Sequence, residues 1–191
     1  MGEFLDDATG VFRNVDRCIG SQRSGYIPGK TYFLGVDLAK HVDFTVMTIL
    51  DGDGNQVYWN RINQFDWPYQ KQLIAEIAKS YGAKVLIDST GIGDPIFDDL
   101  RRAGLDITGY KFTSESKRQL VEALMLSLEQ EKIRLLSEPI QINEMKMFGY
   151  EITASGIKYN APEGKHDDCV FALALANWAR SNTLQRRIVW I

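Results

Sequence analysis

The sequence is poor in cysteine, proline and histidine. Two cysteines in 191 residues, Cys18 and Cys169, cannot build a disulfide framework, so a reducing compartment is expected. No apolar run reaches the ~18–20 residues needed to cross a bilayer. The opening MGEFLDDATG is acidic where a secretory signal is basic, so neither a membrane span nor secretory targeting is expected. Charge of one sign is not in excess either. Lys and Arg number 22 against 25 Asp and Glu, for a net charge of -3. That excludes gripping nucleic acid by bulk charge, but leaves room for a local basic strip. Internal repeats and low-complexity tracts are absent. Two glycine-rich turns fail as motifs. Gly91-Ile92-Gly93 lacks the third glycine of a dinucleotide fingerprint, where Ile96 stands. Asp51–Asn55 lacks the glycine and final acid of a calcium loop, where Gln56 and Ile62 stand.

What is present is an ordinary globular balance, 45% hydrophobic and 25% charged, in a length suited to one domain. Residues 1–30 read as a linker or lead-in, rich in glycine and without periodic apolar positions. Residues 31–181 read as the domain, and 182–191 as a basic, apolar tail. From Thr31, three runs, TYFLGVDLA, DFTVMTIL and QVYWNRI, predict sequential antiparallel strands. Pro68 opens a helix whose Leu73, Ile74, Ile77, Ala78 and Tyr81 share a face, and Gly82 stops it. AKVLIDST is a buried strand, PIFDDLRRAG a helix and LDITGYKF another strand. A long helix follows the TSES cluster, with Leu120, Leu124 and Leu128 in one stripe. IRLL is a short strand or extended piece, and Pro139 opens a short helix. YEITASGIKYN is a hairpin turning at Ser155-Gly156, and HDDCVFALALANWA is a helix apolar on nearly every side. The order implies an α/β fold: an antiparallel meander joined by crossovers to parallel strands in one mixed sheet, flanked by helices, with an added hairpin.

The informative residues are acids in costly places. Asp37 and Asp88 each end an apolar strand, and Asp167 and Asp168 open the buried final helix. A carboxylate beside a low-dielectric core needs a cation, hydrogen bonds or water. Each acid alone also fits a turn or a helix cap. If the two strands are neighbours and the helix packs over their ends, the carboxylates converge and a divalent cation is the natural relief. Oxygen ligands select Mg²⁺ or Mn²⁺, and two such ions about 4 Å apart can hydrolyse a phosphodiester.

GVDLAKHVDFTVMTIL, LIDSTGIGDPIFDDL and GKHDDCVFALALA together resemble the nuclease domain of tailed-phage terminase large subunits, the DNA-packaging motor proteins. The resemblance covers about residues 31–179, and the lead-in GEFLDDATGVFRNV resembles the segment that joins motor ATPase to nuclease. It implies a ribonuclease H-like fold and an endonuclease cutting double-stranded DNA concatemers. It makes Asp37, Asp88 and Asp168 ligands of one or two Mg²⁺ or Mn²⁺ ions, with Asp167 as auxiliary ligand or orienter. Neighbouring helix residues point about 100° apart, so Asp167 and Asp168 cannot face one ion equally. Asp88 stands where some members carry the longer Glu. The resemblance further implies partners (the ATPase domain of the full-length chain, the small subunit and the portal) and the cytoplasm of an infected bacterium. No G-x-x-x-x-G-K-[ST] occurs, so the ATPase half is absent from this sequence.

Secondary signals cluster around these acids. His166 either assists proton transfer, fixes an Asp by a hydrogen bond, or is a structural helix-start residue. It has no His or Cys partner at zinc spacing. Lys40 and Lys165 flank site acids and are candidate phosphate contacts. Ser114, Ser116, Lys117 and Arg118 at the start of the long helix either hold phosphate or cap the helix, with the resemblance favouring DNA contact at Lys117. The alternatives are another ribonuclease H-like enzyme of resolvase or transposase type, and a catalytically silent DNA-binding or motor-docking module.

Overall fold

The computed structural model describes residues 10–39, 43–91, 93–153 and 156–188. Lys40 and the Ser155 turn lie outside them. Strands β1 (Tyr32–Asp37), β2 (Thr45–Asp51) and β3 (Gln56–Ile62) form the antiparallel meander. β4 (Lys84–Asp88) and β5 (Ile107–Tyr110) join in parallel, β4 on β1 and β5 on β4, giving the sheet order β3-β2-β1-β4-β5. A four-residue helix α1 (Val15–Cys18) precedes the sheet. α2 (Trp67–Tyr81) and α3 (Gly93–Arg102) make the crossovers, and α4 (Ser114–Glu129) follows β5. α5 (Pro139–Met147), the hairpin β6 (Gly149–Thr153) and β7 (Gly156–Asn160), and α6 (Asp168–Ile188) complete the chain. The IRLL stretch is extended, with single bridges from Arg134 to Asn55 and from Leu135 to Ile19. Among the described residues no helix is long and apolar enough to cross a membrane.

Local chemistry sets the helix ends. Asp66 caps α2 by accepting the Tyr69 N–H, with Pro68 in the first turn and Gly82 (φ 57°) in the left-handed region at its end. Thr113 and Ser116 form a reciprocal capping box at α4.

The strands sort their residues by alternation. Leu34, Val36, Val85 and Ile87 pack with Ile74 and Ala78 of α2 and Ile96 and Leu100 of α3 on one face. Leu50 and Leu86 turn to the other, where the Leu120, Leu124 and Leu128 stripe of α4 meets Val170, Phe171 and Leu173 of α6. Every residue from Cys169 to Ala176 is buried, as its apolar composition implies. Residues 10–30 also contribute to this core. Val11, Phe12, Val15 and Cys18 are buried, and Phe12 stacks on Phe148 with ring centroids 5.4 Å apart. Ser21, Ser24 and Arg23 then hydrogen-bond the Gln56, Val57 and Trp59 carbonyls, covering the edge of β3.

Gly35 lets α6 lie directly on β1. A Cβ there would fall 2.0 Å from the Ala172 carbonyl oxygen and 2.5 Å from the Ala176 nitrogen, both main-chain atoms of the helix. Gly35→Ala therefore has to push the helix off the strand. We expect a loss of about 3 kcal/mol or more, at the upper end of overpacking costs, read as a lowered urea midpoint.

Candidate metal centre

The same alternation aims the strand-end acids. Leu34 and Val36 face α2 and α3, so Gly35 and Asp37 face α6. Val85 and Ile87 face α2 and α3, so Leu86 and Asp88 face α6. Val36 pairs with Ile87 in the parallel register, which places Asp37 and Asp88 side by side on strands about 4.8 Å apart. Asp168 is the first residue of α6, one helical turn before Ala172, which rests on Gly35. Three distant stretches thus bring carboxylates to one end of the sheet.

Their electrostatics record the crowding. Asp37 is 9% exposed and Asp168 7%. Burial, then the charges of Asp168, Asp88 and Asp167, lift the Asp37 carboxyl well above the usual carboxylate range, against the pull of Lys117. Burial lifts Asp168 to about 6, with the Phe44 N–H opposing and Asp43, Glu144 and Asp167 adding to the rise. Asp88 is raised by burial too, opposed by Thr90 and Lys117. Thr90 donates both its N–H (2.9 Å) and its hydroxyl (2.6 Å) to Asp88 Oδ1. The Phe112 N–H in turn donates to the Thr90 oxygen at 2.7 Å, fixing the strand-end acid to the segment leading into α4.

Asp167 stands just before α6 rather than within it, and its side chain diverges from that of Asp168. Asp168 Oδ2 accepts the Phe44 N–H at 3.3 Å, whereas Asp167 Oδ2 accepts the Ala161 N–H at 3.2 Å. Asp168 meets Asp43 and His166: His166 Nδ1 lies 3.4 Å from Asp43 Oδ1 and 3.7 Å from Asp168 Oδ2. One ligand atom from each of these three residues falls within 4.8 Å of the others. Asp37 and Asp88 are not in that tight group, though the charge of Asp168 reaches Asp37. Asp43 went unnoticed in the sequence. It lies six positions past the end of β1, before β2 begins, and nothing in its spacing marks it. Thr90 was missed too, although Asp followed two residues later by Thr is a recognisable turn signal.

The basic candidates separate. Lys117 Nζ sits 4.1 Å from the Phe171 ring centroid and 4.9 Å from that of Phe112, close enough to lower both Asp37 and Asp88. It lines an open cleft of about 540 Å³ with Phe112, Thr113, Ser114, Lys158, Tyr159, Asn160 and Asp167. Ser116 is taken up in the capping box. Arg118 turns away and pairs with Glu115 and Glu122 along α4. Lys165 is exposed in the turn before α6.

A five-stranded mixed sheet in this order, with acids ending the first and fourth strands and opening the last helix, is a ribonuclease H-like domain. Residues 34–179 match the family described as "Terminase RNaseH-like domain", and the chain belongs to that family. It is 33% identical over 187 residues to the terminase large subunit of Thermus virus P23-45, covering 91% of this chain and 39% of that protein. The chain thus spans 39% of the length of that relative. The large terminase nuclease of thermophilic phage G20c with bound magnesium matches with a TM-score of 0.82 at 30% identity, over 88% of this chain and 96% of that one. The Thermus phage P74-26 large terminase nuclease domain matches at 0.79 and 29%, over 88% and 94%.

Proposed function

We propose that this domain is a Mg²⁺- or Mn²⁺-dependent endonuclease that cuts double-stranded viral DNA concatemers during genome packaging. One observation carries the reading: Asp37, Asp88 and Asp168 share one end of the sheet, with Asp37 and Asp168 buried, Asp88 half-buried, Asp168 and Asp88 both repelling Asp37, and Lys117 the cation that offsets Asp37 and Asp88. All-oxygen donors under such repulsion fit a hard divalent cation. A magnesium-bound relative with the same fold supports the choice. Asp43, which meets Asp168 and His166, adds a carboxylate on the α6 side.

Asp37, Asp88 and Asp168 are the ligands for one or two ions, and Asp167 orients from the adjoining cleft. Bound there, the metal supplies Lewis acidity that makes water nucleophilic near neutral pH and offsets charge on the leaving oxygen. Lys117 neutralises a phosphate approaching through the cleft. Lys165 and Lys40 add phosphate contacts, with Arg118 contributing once freed from its glutamates. His166, beside Asp168, is the group placed to hand a proton to the leaving 3′ oxygen. The net charge of -3 leaves the lone domain a weak DNA binder, so the ATPase domain, small subunit and portal hold the substrate in the host cytoplasm.

The test is plasmid nicking. Wild-type domain with Mn²⁺ is expected to convert supercoiled DNA to open and linear forms, while EDTA and the Asp37→Asn variant leave it intact. Equal nicking in all three would show contaminating nuclease and sink the assignment. A His166→Ala variant separates proton transfer from ligation. We expect cleavage to slow by about 100-fold, the low end of general-acid contributions, with Mn²⁺ binding retained.

A further inference from the structure

We infer that the Arg61–Glu144 ion pair is a positioning device for Asp168, holding the start of α6 and the Phe44 peptide so that the carboxylate meets a divalent cation in one orientation. The inference rests on the metal reading of Asp168 given above.

Glu144, on α5, is 7% exposed. Its Oε2 accepts the N–H of Cys169 at 2.9 Å, and its Oε1 takes Arg61 Nη2 at 3.0 Å. Cys169 follows Asp168 directly, so Glu144 fixes the first turn of α6 at the peptide beside the candidate ligand. A carboxylate there also satisfies an amide that helix geometry leaves open, and sits at the favourable end of the helix dipole. The guanidinium of Arg61 lies over the Phe44 ring, 3.3 Å from its centroid. The Phe44 N–H donates to Asp168 Oδ2, and its ring makes a T-shaped contact with that of His166, with centroids 5.1 Å apart. The contacts close a circuit: Arg61 to Glu144, Glu144 to the peptide after Asp168, Asp168 to Phe44, and Phe44 back to Arg61. Three separate elements, β3, α5 and the entry to β2, thereby fix one side chain. A buried ion pair seldom repays its desolvation better than apolar residues of the same shape would. Orientation of a ligand carboxylate is the role such outer partners perform elsewhere.

Electrostatics and positioning give opposite signs for Arg61→Met. Removing a cation behind the site, with Glu144 left charged, would tighten Mn²⁺ if charge alone mattered. Loss of positioning weakens it. Mn²⁺ binding is read by calorimetry near neutral pH and well below each protein's melting temperature, so that only folded molecules report. We expect Arg61→Met to bind about ten-fold more weakly, the low end of outer-shell effects. Arg61→Lys, which keeps the pair with Glu144 but not the planar stacking on Phe44, should fall between it and wild type. Unchanged or tighter binding by Arg61→Met overturns the inference. Should that variant fail to fold, Phe44→Leu decides in its place. It keeps the backbone donor and the ion pair but removes the ring, and undiminished affinity there overturns the inference equally. Wild-type protein that binds no Mn²⁺ overturns the metal reading itself, and this inference with it.

Discussion

Asp37→Asn abolishes metal-dependent cleavage and at the same time raises the melting temperature of the metal-free protein. The two effects share one cause. Asp37 ends β1 with its carboxylate buried and facing Asp88, Asp168 and Asp167, so in the absence of metal its charge opposes folding. Asparagine keeps the shape and removes the charge. Cleavage should fall by more than about a hundred-fold, because loss of the ligand itself exceeds the 10–100-fold typical of outer-shell changes. Thermal melts in EDTA and in excess Mn²⁺ check the pair of effects. Wild type should gain stability from Mn²⁺ and the variant little, since only a native state that binds the ion is stabilised by it. A variant less stable than wild type in EDTA would mean that Asp37 is held by favourable partners, and that its charge is structural.

Stability in EDTA should fall with rising pH in wild type relative to Asp168→Asn. Asp168 moves from its ordinary 3.8 to about 6 on folding, chiefly through burial. Between those values the native state holds the proton more tightly than the unfolded chain, so each step up in pH favours unfolding. The penalty is absent below the lower value and complete above the upper one, where it reaches about 3 kcal/mol. The Asn variant carries no such term. Urea midpoints for the two proteins should coincide at about pH 3 and separate by about pH 7, with the variant more stable. Excess Mn²⁺ closes the gap from the wild-type side. Parallel curves across that range would show that Asp168 is already neutralised by a protein partner.

Much of this was legible in the chain. Alternation and β-branched runs marked the three-strand meander, and turn residues separated it from the crossovers. The Leu120, Leu124 and Leu128 stripe marked the buried face of α4, and the continuous apolar character of residues 169–176 marked a helix enclosed on all sides. Strand-end acids in apolar runs marked the candidate site. What stayed hidden were groups defined by an opposite partner rather than by their own neighbours. Asp43 reaches His166 across 123 positions of chain, Arg61 reaches Glu144 across 83, and Glu144 reaches the Cys169 amide across 25. Periodicity reports which face of an element is buried, but not which polar group waits on the other side. Burial of Val11, Phe12, Val15 and Cys18 was hidden for a related reason. Their segment is too short and irregular to show a period, and what buries it is the α4–α6 layer and Phe148.

The central claim is that carboxylates from β1, β4 and α6 share a divalent cation. Crystals soaked in Mn²⁺ and measured at the manganese absorption edge test it most directly. The account predicts an anomalous peak within about 2.5 Å of oxygens from Asp37, Asp88 and Asp168, a distance set by hard-cation coordination. Manganese bound elsewhere on the domain, with those three side chains left without an ion between them, would contradict it.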